Sequence, residues 1–184
     1  MGPKYEFTDE TKTVDDHVLH RIKRLSDDKL GGFIEKEDNL SQEGNCWVTD
    51  DACVYDNAKV YDNARICGNS QVYDNAEVYD EAKVIGSAQV YGNAKVSGNA
   101  HIWGYNVKIY GNAKIDDFTN VSDNAQVYGN AKVYGHAMVR KNAKVYDDAE
   151  IRDCARVGGN AEVCGNTVIC NIKVYDGVEL NDEE

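Results

Sequence analysis

An all-β solenoid is the fold this chain predicts, and three observations predict it. Aliphatic residues recur every six positions from Val48 to Ile102, from Ile109 to Ile169, and again at Val174 and Leu180, which makes 23 slots. Alanine stands two places before sixteen of them. The residues after each slot are rich in Gly, Asp and Asn, which tolerate a left-handed backbone and tight turns. A helix cannot use this period, because six residues turn it by about 600° and successive valines would wander round the cylinder. A strand can: in Ala-x-Val the outer two side chains share one side and the middle one points the other way. Each hexad is then a very short strand and a corner. Hexads must stack, since three residues cannot bury an apolar face alone.

Taken in order, residues 1–45 have a different texture and read as an N-terminal, β-rich cap. Val18-Leu19-His20-Arg21-Ile22-Lys23-Arg24-Leu25 alternates as a strand does. A solenoid end exposes unpaired backbone and a slice of apolar core, so a dissimilar cap is expected there, with Phe33, Ile34, Leu40 and Trp47 covering the first coil. The repeats occupy 46–180. Read in groups of three hexads, Tyr55, Tyr73, Tyr91, Tyr110, Tyr128 and Tyr146 fall in one column, continued by Cys164, once an extra residue at 103–108 is allowed; near 170–173 the register loses one. Residues 181–184 form a short acidic end that discourages edge pairing.

Asn57-Ala58-Lys59-Val60-Tyr61-Asp62, Asn93-Ala94-Lys95-Val96-Ser97-Gly98 and Asn130-Ala131-Lys132-Val133-Tyr134-Gly135 resemble the hexads of hexapeptide-repeat proteins. That resemblance implies a left-handed parallel β-helix, here of about seven to eight coils, and a homo-oligomer, commonly a trimer. Gly31-Gly32-Phe33-Ile34-Glu35, Asn39-Leu40-Ser41 and Gly44-Asn45-Cys46-Trp47-Val48 are similar to the leading segment of the bacterial YdcK-like group, whose sequences also occur in phage settings. Members of that group are often labelled acyltransferases on the repeat alone.

A net charge of −12 and a pI near 4.7 argue against nucleic acid and against an anionic membrane surface. No apolar run is long enough to span a bilayer and no signal peptide opens the sequence, so a cytoplasmic address is expected. Cys46, Cys53, Cys67, Cys154, Cys164 and Cys170 show no metal spacing and read as reduced thiols, with no metal site expected. Corner residues Asp56, Asp62, Asp74 and Asp80 read as solvated turn residues.

The resemblance implies a histidine base acting on an acceptor beside acyl-CoA. Such a base needs an exposed imidazole, a partner that fixes its tautomer, and donors for the oxyanion. His17 and His20 lie in the leader and read as cap residues. His136 replaces a corner asparagine next to Phe118 and Cys154, and His101 points outward beside Lys83 and Asn120. These two are the catalytic candidates if the protein is an acetyl-CoA-dependent acyltransferase. Three departures count against that activity: tyrosine often follows the aliphatic slot where the family has glycine, no long loop interrupts the coils, and no C-terminal helix follows them. The expectation is instead a non-catalytic binding or assembly module that needs no cofactor and binds a small ligand or a partner protein. Its ligand or interface residues are the tyrosine column and Trp103, Tyr105 and Arg140. A phage-type decoy that sequesters a nucleotide-like signal or blocks a host protein is a further alternative, with the last three residues as contacts.

Overall fold

The computed structural model describes residues 2–176 and 179–180. Its strands form three sheets of eleven, eight and seven strands, and successive coils add one strand of two to four residues to each in turn. The result is a parallel β-solenoid of about eight coils. Parallel partners stand eighteen residues apart, as in Lys59↔Glu77 and Gln71↔Gln89. The step becomes nineteen at Gln89↔Lys108 and His101↔Asn120, then seventeen at Arg156↔Lys173. The first is the register change that the tyrosine column requires, and the second is the lost residue near 170–173. The added residue lies in the corner Gly104-Tyr105-Asn106, where Gly104 takes φ +145° and a Cβ would lie 2.5 Å from the Asp123 carbonyl oxygen.

The interior is one continuous core in which the alanine and aliphatic slots meet, from Val48 to Val174. Ala94, Val96, Ala131 and Val133 are each fully buried. The corners are built by side chains as much as by backbone. Asp74, Asp80, Asp117 and Asp147 hold φ between 56° and 58°. Asp74 Oδ2 accepts the Gly92 backbone N–H, and Asp117 Oδ2 that of Gly135, each at 2.9 Å. Corner aspartates expected to be solvated thus clamp one coil to the next. Asn57, Asn75, Asn93, Asn112 and Asn130 extend the clamp, their amides bonded in series at 3.0–3.3 Å and ending on Asp148.

Strands β1 (Tyr5–Val14) and β2 (His17–Arg24) form an antiparallel hairpin, and β3 (Leu30–Ile34) pairs antiparallel with β2. On its other edge β3 pairs in parallel with Cys53–Val54. Leu40 makes a parallel bridge to Val60. Parallel stacking therefore begins at Phe33, inside the segment that reads as leader in the sequence. The buried Asn39 amide donates to the Asp56 and Ala58 carbonyls, so this first coil has a corner built from side-chain bonds. Ile34, Leu40 and Trp47 join the solenoid core. Phe33 does not: it lies in a second cluster with Leu19, Cys53 and Tyr55, beneath the Arg21 guanidinium 4.2 Å from its ring centre. Among the described residues no helix is long and apolar enough to cross a membrane.

Candidate functional site

Each flat face of the solenoid shows two outward columns, the x position of the hexad and the residue after the aliphatic slot. On the first face the second column is the tyrosine ladder. From Tyr55 to Tyr146 the rings stack with centroids 4.8–5.1 Å apart and planes within 7°. Burial raises the pKa of Tyr73, Tyr91, Tyr110 and Tyr128, that of Tyr73 to about 12, so these phenols stay neutral. The stacking has a chemical consequence. Ring faces are occupied by neighbouring rings, so the ladder offers edges and hydroxyls to a partner and no flat aromatic platform. Tyr55 is only 2% exposed beneath the hairpin and cannot take part in an interface.

The second face is mixed in sign. Lys95 Nζ meets Glu77 at 2.9 Å and Lys132 Nζ meets Glu150 at 2.8 Å, while Tyr61 and Tyr134 donate to the same two carboxylates. Exposed pairs of this kind add little stability.

The third face is different. In register its x column runs Trp47, Arg65, Lys83, His101, Asn120, Met138, Arg156, Lys173. Its second column includes Ile85, Trp103, Ser122, Arg140, Gly158 and Tyr175. Neither column contains a carboxylate. Among the described residues Arg65, Lys83, Arg156 and Lys173 carry no side-chain hydrogen bond or ion pair. Lys83 and His101 are direct cross-strand neighbours, and partial burial and then the Lys83 charge push the His101 pKa below its usual value. Trp103 is 45% exposed and leans toward the x column, its Nε1 donating to Asn120 Oδ1 at 3.1 Å. Arg140 donates to the Tyr175 hydroxyl at 2.8 Å, over Gly158, whose missing side chain leaves room for the tyrosine ring. The Arg140 Nε, although buried, has no acceptor.

Of the residues singled out in the sequence, His101, Trp103 and Arg140 share this face, and Tyr105 stands at its margin, 83% exposed. His136 does not join them. It lies at the preceding corner with its ring stacked on Phe118 at 5.1 Å, and no described side chain fixes its tautomer. The sequence reading missed the run of Arg65, Lys83, Arg156 and Lys173. Every third x position, read as one column, contains that signal.

Sequence reasoning also missed His17, Glu35 and Asp56. His17 Nδ1 lies 3.0 Å from Glu35 and Nε2 lies 3.3 Å from Asp56, and the imidazole rests on Tyr55 at 5.2 Å as the end cap of the ladder. The Glu35 hydrogen bond raises the His17 pKa. One ligand atom from each residue falls within 4.8 Å of the others, the spacing of a metal site. Two ion pairs and the stacked ring account for the arrangement as a hairpin clasp.

The cleft between cap and first coil has a volume of about 1200 Å³ and is lined by Lys4, Arg24, Cys46, Trp47 and Arg65. Two of its cations are already used: Lys4 Nζ bonds the Cys46 carbonyl and thiol at 3.0 and 3.1 Å, and Arg24 grips Asp27 with two bonds of 2.6–2.7 Å. A cleft of about 310 Å³ beside Tyr105 is lined by Gln71, Gln89, Asn106 and Lys108. The two clefts thus lie at margins of the third face.

Fold and repeats together define a class, the parallel β-solenoid built from hexapeptide repeats. Within the chain, residues 88–104, which include His101 and Trp103, match the family model described as the YdcK beta solenoid repeat. A solved structure, the UDP-N-acetylglucosamine acyltransferase from Campylobacter jejuni, is similar at 16% identity and a TM-score of 0.44, covering 73% of this chain. The match spans 66% of that chain, just under two thirds of its length. No curated protein matches the sequence.

Proposed function

We propose that this protein is a non-catalytic hexapeptide-repeat binding module whose binding surface is the third face. The observation that carries this reading is the column of cations there, unpaired among the described residues, in a chain of net charge −12. Like charges in direct cross-strand contact destabilise a sheet. A surface that keeps Arg65, Lys83 and His101 in register, with an exposed indole beside them, departs from the repeat's own logic, and such departures concentrate at functional sites. On this reading the protein works as a homo-oligomer, a trimer by resemblance, in the cytoplasm and without a cofactor.

One observation favours acyl transfer as the second reading. The lowered pKa of His101 keeps its imidazole neutral near pH 7, as a general base requires. Against it, the cation at Lys83 lies where a tautomer-fixing carboxylate belongs. Native mass spectrometry before and after addition of acetyl-CoA separates the two. The binding reading expects a defined oligomer that leaves acetyl-CoA free. Stoichiometric acetyl-CoA binding, with transfer to an acceptor lost in His101→Ala, would replace it with the transferase.

A further inference from the structure

We infer, building on the binding reading above, that the third face docks an acidic protein surface with an apolar centre. Four features of the face point to that class of partner. The first is charge. The two outward columns carry Arg65, Lys83, Arg140, Arg156 and Lys173 without one carboxylate, so the partner must supply the anions. The second is composition. Trp103, Met138, Arg140 and Tyr175 belong to the residue types that dominate the buried centres of protein interfaces. The third is shape. Parallel strands in unbroken register make a plane whose neighbouring side chains stand one strand spacing apart, about 4.8 Å. Small ligands favour concave sites, whereas a plane suits a macromolecule. The clefts that reach Arg65 and Tyr105 lie at its margins.

The fourth feature is the boundary. Corners on either side of the face carry carboxylates, among them Asp80 and Asp117 before it and Asp50 and Asp123 after it. Each of these four accepts a backbone N–H of the next coil at 2.9–3.1 Å, so they are fixed in place. The cationic strip is therefore one strand wide and fenced by negative charge. A nucleic-acid duplex would bring phosphates against that fence. A protein surface can place its carboxylates over the strip and neutral groups over the corners. The partner's anions would sit over Arg65, Lys83 and His101 and over Arg156 and Lys173. Its apolar centre would lie over Trp103, Met138 and Ile85.

The full chain reports on this directly, because it has two tryptophans and only one is accessible: Trp47 is 4% exposed and Trp103 45%. A synthetic peptide of alternating glutamate and leucine serves as the acidic protein probe, and ATP as the ring-bearing phosphate probe. Binding is followed by Trp103 emission, by amide shifts in isotope-labelled protein, and by the His101 titration. The expected result with the peptide is a blue shift of emission, amide shifts confined to the third face, and a His101 pKa raised by about half a unit as carboxylates approach. Lys83→Gln combined with Arg156→Gln should weaken peptide binding at least about tenfold while leaving the melting curve in place.

Failure takes distinguishable forms. If ATP produces the third-face shifts and the peptide does not, the binding reading stands and the acidic-protein inference falls. Shifts that grow with protein concentration alone mean that the face meets a second copy, which also overturns the inference. No response to either probe, or a response on another face, removes both.

Discussion

The tyrosine face and the cation face share one interior and one period, yet they solve opposite problems. On the first, neighbouring coils complement one another: ring on ring along the tyrosine column, Gln89 amide to Gln71, Lys144 ammonium to Glu162. Nothing from outside is required. On the third, Arg65 and Lys83 face each other as like charges, and the Lys83 charge adds to burial in keeping His101 neutral. The repeat therefore supplies stability where its output is neutral and self-complementary. It supplies a demand for a partner where its output is charged and in register.

Four measurements sharpen or break that contrast. The largest effect belongs to the interior that both faces share: Ala131→Leu should overfill a fully buried slot and cost about 1–3 kcal/mol in thermal or urea melts. Unchanged melts would mean that the alanine slot is not the packing constraint on this fold. Next comes Tyr110→Ala, which removes the stacks to Tyr91 and Tyr128 and should cost about 1–2 kcal/mol, at roughly 0.5–1 kcal/mol per aromatic pair. It should leave peptide binding at the third face unaltered. A matching loss of binding would show that the two faces are not independent.

A smaller effect is expected at the hairpin clasp. The His17 pKa is raised, so its contribution is complete below the unfolded value near 6.5 and is lost as pH climbs through the folded pKa. Glu35 has the opposite sign. Burial alone would raise its pKa, but the His17 and Asp56 N–H bonds lower it, so its share is lost as pH falls through the acid range. Hairpin docking should thus be tightest between about pH 4.5 and 6.5, the two unfolded values. Hydrogen exchange at β1 and β2 should accelerate above that window, and His17→Gln should abolish the alkaline limb. The smallest effect is Lys83→Gln. It should change stability by no more than about 0.5 kcal/mol, in the stabilising direction, since it relieves the repulsion of Arg65. Clear destabilisation would mean that Lys83 has a structural partner and that the cation column is not idle.

The same contrast separates what the sequence could tell from what it could not. Val60, Val78 and Val96 repeat in phase, so sheets, corners and the tyrosine column were all legible, including the extra residue at 103–108. A register is a local count, and counts survive without coordinates. The hairpin clasp is of another kind. His17, Glu35 and Asp56 belong to no period, and their meeting depends on how an antiparallel hairpin lands on a parallel coil. The burial of Cys53 and Tyr55, both in outward slots, follows from that landing and was equally hidden. The cation face lies between these cases. Its residues are periodic and were available to counting, but attention to single histidines passed over the column that holds one of them.

The hairpin also decides something about growth. A stack of parallel strands is a polymer in waiting, since the last strand added is a template for the next chain. Strand β2 reverses chain direction at that template, and β1, which follows as the outer strand, carries exposed Glu6, Asp9 and Glu10. On this sheet the hairpin acts as a chain terminator does in polymerisation: it occupies the growing end by hydrogen bonding to it and presents like charges where another unit would add. Deleting it would leave β3 as a bare parallel template at the end of this sheet.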